Sequence, residues 1–141
     1  MDTYFDYPFR ITIQTRWGDN DMLGHLNNVV FHRCFEDIVT KFTQSSLGIN
    51  WLNDPIYPVA VETQCTFFSE LSWPEVIQAG LRAGHIGRSS VTYQLALFRE
   101  SDLENASASG RFVHVYIARS DKRPTMIPNG IRTLIEAVAC P

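Results

Sequence analysis

Asp19 and Asp21 stand two residues apart in the stretch Trp17 to Glu36, which reads WGDNDMLGHLNNVVFHRCFE. A carboxylate can take a proton from water or attack a carbonyl itself. Behind the pair come Gly24, His25, Asn27 and Asn28. Asn is among the best helix N-caps, because its side-chain oxygen accepts a backbone N–H of the first turn. A helix should therefore start at Asn27 or Asn28. The free N–H groups and positive dipole end at that start suit a developing oxyanion. The same residues also compose an ordinary solvated loop, since Asp, Asn and Gly all favour turns. In an extended segment residues two apart project to one side, which leaves two roles for Asp19. Either it raises the pKa of Asp21 by like-charge repulsion, or it bonds to loop N–H groups. The structural role is the favoured one.

The elements that would hold these groups are legible in the hydrophobic pattern. Phe31, Cys34, Phe35, Ile38 and Phe42 recur at spacings of three and four, the stripe of an amphipathic helix. Arg33, Glu36, Asp37 and Lys41 fall outside it, and Gly48 is a plausible left-handed cap. Alternation predicts strands over Tyr7–Trp17, Val59–Phe68, Val76–Gly84 and from Val91 to Leu97. Phe112–Ala118 is apolar on both faces and so should be an interior strand. Pro55 and Pro58 exclude helix from the piece before the second strand. Ser101–Gly110 reads as a loop and Asn129–Val138 as a short closing helix. One long helix against an antiparallel sheet of about five strands is an α+β arrangement, in a single domain spanning 1–141.

The string D-x-D-x-x-G-H-x-N-N ahead of an aromatic-faced helix resembles the motif of the hotdog-fold acyl-CoA thioesterases, the 4-hydroxybenzoyl-CoA thioesterase-like family. Trp17, Asp19, Asp21, Gly24, His25, Asn27, Asn28 and Glu36 carry the resemblance, and the likeness runs over roughly residues 8 to 135. It implies the hotdog fold and hydrolysis of an acyl-CoA, or acyl-carrier-protein, thioester to free acid and thiol. In that pattern Asp21 is the base or nucleophile, and the backbone N–H near Asn28 is the oxyanion donor. Gly24 keeps the loop open to the thioester, His25 holds the loop in shape beside the reacting groups, and Asp19, Asn27 and Glu36 support the site. The segment Gly87-Arg88-Ser89-Ser90 resembles the family's G-x-S-S, which lies beside the pantetheine arm. Arg119, Lys122 and Arg123 form a basic cluster that could meet the phosphates of coenzyme A. The resemblance implies no cofactor beyond the coenzyme A of the substrate, and a homodimer or homotetramer with the site at the subunit interface. A thiol of pKa ~8.5 leaves as thiolate near neutrality, so one carboxylate plus N–H donors is sufficient.

Two departures touch substrate assignment more than fold. Val39 stands where the family often has Arg, and Ala118-Arg119 where it often has Val-Asp. One rival reading is a hydratase or dehydratase of the same fold, for which His25 with Glu36 is the candidate pair. The other is a non-catalytic acyl-CoA-binding protein.

Composition narrows the partners. Twelve Lys and Arg against 15 Asp and Glu give a net charge of −3, which offers nucleic acid and anionic membranes no reason to bind. No stretch reaches the roughly 18–20 apolar residues of a membrane span. The opening MDTYFDYPFR lacks the basic and apolar regions of a secretory signal. Cys34, Cys65 and Cys140 are odd in number and lack a CxxC pairing, which fits reduced thiols in the cytoplasm. His32, His85 and His114 show no metal-ligand spacing and are expected to be structural.

Overall fold

A computed structural model describes residues 2–140. In chain order it holds β1 (Phe9–Gln14), α1 (Asn28–Lys41), β2 (Ile56–Phe67), β3 (Val76–Ile86), β4 (Ser90–Arg99), β5 (Ala108–Ala118) and α2 (Asn129–Glu136). The five strands form one antiparallel sheet in the order β1-β3-β4-β5-β2. This is the hotdog arrangement, one long helix wrapped by the sheet.

The helix begins where the cap residue places it: the Asn27 side chain accepts the Val29 N–H at 3.0 Å. Phe31, Cys34, Phe35, Ile38 and Phe42 are buried along its stripe, joined by Val30 and Val39. Facing them are Ile77, Ala79, Leu81 and Ala83 of β3 and Val91, Tyr93, Leu95 and Leu97 of β4, all buried. At ~1.5–3 kcal/mol per side chain, as an upper figure, this contact ties the helix to the sheet. The last turn widens into a π-helical segment, Phe42–Ser46, and Gly48 follows at φ +69°. Burial raises the thiol pKa of Cys34 to about 12 and of Cys65 to about 11, and all three cysteines are free.

The strands depart from the alternation in several places, and β1 covers only Phe9–Gln14 of the expected Tyr7–Trp17, because Trp17 enters a 3-10 turn. β2 starts at Ile56 rather than Val59 and carries Pro58 inside it, which an edge strand tolerates because a missing N–H there breaks no ladder bond. A bulge between Ala60 and Glu62 turns Val61 out of the core face, leaving it 57% exposed. β5 starts at Ala108, inside the stretch that reads as a loop. Its first residues are small because the sheet needs them so: a Cβ on Gly110 would lie 1.9 Å from the Gln64 carbonyl oxygen and 2.7 Å from the Phe35 ring.

On the sheet's outer face the N-terminal segment crosses β3 and β4. The Tyr4 N–H donates to the Leu103 carbonyl at 2.9 Å, and Tyr7 packs on Ala96 and Phe98 in a separate small core.

Candidate active site

The chain reaches α1 through a 3-10 turn, Trp17–Asp19, so the two carboxylates do not project together. The turn sends Asp19 inward, where it is 4% exposed. The Arg33 guanidinium donates to both of its oxygens, at 2.8 and 3.0 Å, and the Arg16 N–H donates at 2.8 Å. These bonds, Arg33 first, hold the Asp19 carboxyl below its usual range despite burial. The Asp19 carbonyl also accepts the Asn27 N–H at 3.0 Å, which fastens the loop to the helix cap.

Asp21 opens outward instead. Its Oδ1 accepts the N–H of Leu23 at 2.8 Å and that of His25 at 3.4 Å, while among the described residues none bonds Oδ2. The backbone closes a small hairpin around it: Asp21 N–H to His25 carbonyl at 2.8 Å, Gly24 N–H to Asp21 carbonyl at 3.1 Å. Gly24 sits at φ +81°, a conformation that costs an L side chain about 1–2 kcal/mol. At the helix start Val29 and Val30 donate to the Asn27 side chain and carbonyl. The Asn28 N–H is thus left without an acceptor among the described residues, as first-turn donors are.

Asp21, His25 and Asn28 line one cavity of about 390 Å³, together with Glu70. Its apolar wall is Phe31, Phe67 and Phe68, with the Phe31 and Phe67 rings edge-to-face at 5.0 Å. Glu70 belongs to a part of the site that the motif does not mark, the loop from β2 to β3. That loop is tied to the acidic loop at three points. Leu26 donates to the Leu71 carbonyl at 2.7 Å, Trp73 to Asn20 Oδ1 at 3.0 Å, and His25 Nε2 lies 2.9 Å from Glu70 Oε2. Arg99 braces it from β4 by donating to the Glu70 carbonyl and lying 3.5 Å from Glu75. The acidic neighbour of His25 is therefore Glu70. Glu36 lies exposed on the helix with no ion-pair partner among the described residues.

The expected coenzyme A contacts lie elsewhere in the chain. Arg88 and Ser89 lie in the β3–β4 turn and Ser90 opens β4, and the Arg88 and Ser89 carbonyls accept from the N–H groups of Ile127 and Tyr116. Arg119 donates to the carbonyls of Trp51 and Asp54 and lies 4.4 Å over the Tyr57 ring. Lys122 bonds the Tyr57 hydroxyl at 2.7 Å, and Arg123 is exposed beside Asp121. The ladder gives the separation: Val115 pairs with both Ser90 and Val59, whereas Ala108 pairs with both Leu97 and Phe67. Eight residues of strand, roughly 26 Å, part Val59 from the Phe67 wall. Within one chain none of these six residues reaches the Asp21 cavity.

The model of the Thioesterase-like superfamily matches residues 15–135, a span that contains the whole acidic loop and every strand but β1. The chain belongs to the thioesterase-like superfamily. Among solved structures, this superfamily member is similar to the PA5185 protein of Pseudomonas aeruginosa strain PAO1. The identity is 36%, with 98% of this chain and 96% of that one covered and a TM-score of 0.91. A thioesterase from Thermus thermophilus, complexed with coenzyme A and Zn, is 26% identical at a TM-score of 0.81, covering 94% and 95% of the two chains. The PA2801 protein of Pseudomonas aeruginosa is also 26% identical, at a TM-score of 0.84 and 92% and 98% coverage. No curated protein matches the chain. Among the described residues no group of three or more metal-type side chains gathers, and no helix is long and apolar enough to cross a membrane.

Proposed function

We propose that this protein hydrolyses an acyl-CoA thioester, with an acyl-carrier-protein ester as the alternative carrier, and that Asp21 and the Asn28 N–H are its working groups. One observation carries the reading: Asp21, whose Oδ2 has no partner among the described residues, and Asn28, whose N–H has no acceptor among them, line the same part-apolar cavity. Water attacks the thioester carbon as Asp21 takes its proton, and the oxygen of the tetrahedral intermediate accepts from Asn28. Collapse breaks the C–S bond, the thiolate leaves and takes up a proton, and the acid is freed. Direct attack by Asp21, through an anhydride that water then opens, uses the same two groups. The coenzyme A in the Thermus thermophilus relative supports coenzyme A as the carrier.

The working unit is a dimer. β2 is a twelve-residue edge strand whose outer side pairs with no other strand among the described residues, with Val61 and Phe67 exposed. Antiparallel pairing of two such edges brings the Ile56 end of one copy beside the Phe67 end of the other. Ala118 pairs with Ile56, so Arg119, Lys122 and Arg123 of the partner subunit would approach the Asp21 cavity. The deciding experiment measures free-thiol release from a panel of acyl-CoAs. Asp21→Asn should lower kcat by about 10³-fold or more with the circular dichroism unchanged, and near-normal turnover would remove the mechanism.

A second reading draws on one contact. His25 beside Glu70 supplies the imidazole and acid that water addition to an enoyl-CoA would use. Loss of enoyl absorbance without thiol release would favour it over hydrolysis.

A further inference from the structure

The outer face of the sheet carries a second and larger hollow, about 550 Å³, between the N-terminal segment and the loop from β4 to β5. Phe68 and Ser69 line both this hollow and the Asp21 cavity. The wall they make is fixed in its backbone: Phe68 and Ser69 both donate to the Ser107 carbonyl, at 2.8 and 3.1 Å. Its side chain is not so fixed. The neighbouring Phe67 ring is held by Phe31, whereas the Phe68 ring is 58% exposed and has no aromatic partner among the described residues. Exposed side chains change rotamer in picoseconds to nanoseconds, so this ring can swing on a rigid base.

The hollow's charges are already answered by the chain. Asp2 pairs with Arg82 at 2.7 Å, Arg99 lies 3.5 Å from Glu75 and donates to the Glu70 main-chain carbonyl, and Asp102 accepts from the N–H groups of Glu104 and Asn105. What remains for a ligand is the apolar surface of Tyr7, Phe68 and Ala106. An anionic guest would meet no cation that lacks an acidic partner among the described residues of the lining, and an alkyl chain needs none.

We propose that the second hollow takes the distal methylenes of an acyl chain too long for the Asp21 cavity, with Phe68 as the gate that sets chain-length preference. The proposal rests on the thioesterase reading. Each methylene newly buried is worth roughly a fourfold gain in kcat/KM, so the preference should climb with length past the limit of the first cavity. The experiment is a kcat/KM profile over acyl-CoAs from acetyl to palmitoyl. Ala106→Trp fills the far hollow and should cost the longest chains at least about tenfold while acetyl-CoA is unaffected. Phe68→Ala should raise the ratio of long-chain to short-chain turnover. Should Ala106→Trp fail to fold, Ser109→Phe makes the same obstruction from β5. A folded, active blocking variant whose profile is unchanged, or is scaled equally at every length, overturns the proposal alone. Absence of thiol release in the wild type from every acyl-CoA and from the matching acyl-carrier-protein esters takes down the thioesterase reading with it.

Discussion

Arg33 is what separates the fates of Asp19 and Asp21. Two carboxylates this close in sequence would repel, but the guanidinium neutralises the inner one and leaves the outer one to solvent. Removing it strands a buried charge. Arg33→Ala should therefore destabilise the fold by about 2 kcal/mol, less than a fully buried pair because Arg33 is one-third exposed. Denaturant unfolding checks this, and the pH dependence fixes its origin. The pKa of Asp19 is lower folded than unfolded, so its contribution is full above the unfolded value of 3.8 and fades as pH falls through the folded one. The wild-type advantage over Arg33→Ala should shrink in that acid range. His114 behaves in the opposite chemical sense. Packed against the rings of Phe112 and Tyr93, with Nδ1 unbonded among the described residues, it is pushed by burial from 6.5 down to about 4. Below pH 6.5 the unfolded chain binds a proton that the folded one refuses, so stability falls between about pH 6.5 and 4. The loss is on the order of 3 kcal/mol. His114→Phe should flatten that window in urea titrations at stepped pH, and an unchanged slope would assign the acid lability elsewhere. The motif made Asp21, Gly24 and Asn28 readable as a group because a turn, a cap and a helix start are local events. Arg33 and Glu70 escaped it, since their roles depend on which segments meet in space.

Among the elements, the long helix and the inner strands follow from periodicity because each hides a whole apolar face. Ile77, Ala79, Leu81 and Ala83, then Val91, Tyr93, Leu95 and Leu97, keep a period of two on the helix-facing side and all are buried. β2 and the start of β5 hide their character for different reasons. In β2 the bulge at Val61 shifts the face midway, so a single alternating template cannot fit both halves. In β5 the run Ala108-Ser109-Gly110 has too little side chain to show a pattern, and its smallness is what admits the Phe35 ring. Gly110→Ala tests that point of contact. The added methyl meets backbone on one side and a packed ring on the other, neither of which can step aside cheaply. A loss of about 3 kcal/mol in chemical denaturation is expected. A loss below ~0.5 kcal/mol would mean that α1 does not need this close approach.

For the molecule as a whole, the unpaired β2 edge and the scattered basic residues are one problem with one solution. A twelve-residue open edge invites pairing, and Arg119, Lys122 and Arg123 follow Ala118, whose partner Ile56 is eleven strand positions from the Phe67 wall of the Asp21 cavity. In the proposed dimer, antiparallel pairing of two copies along β2 would close the edge and bring those residues to the opposite copy's cavity. The consequence is that activity should depend on an edge remote from Asp21. Val61→Asp with Thr63→Asp places like charges on both facing edges, where the exposed side chains of the single chain need no rearrangement to receive them. Sedimentation velocity should then show a monomer, and thiol release should fall by about 100-fold or more, chiefly through a raised KM as the phosphate contacts are lost. A folded monomer that kept the wild-type kcat/KM would show that one chain assembles its site alone, and that Arg119, Lys122 and Arg123 serve only the turn they brace.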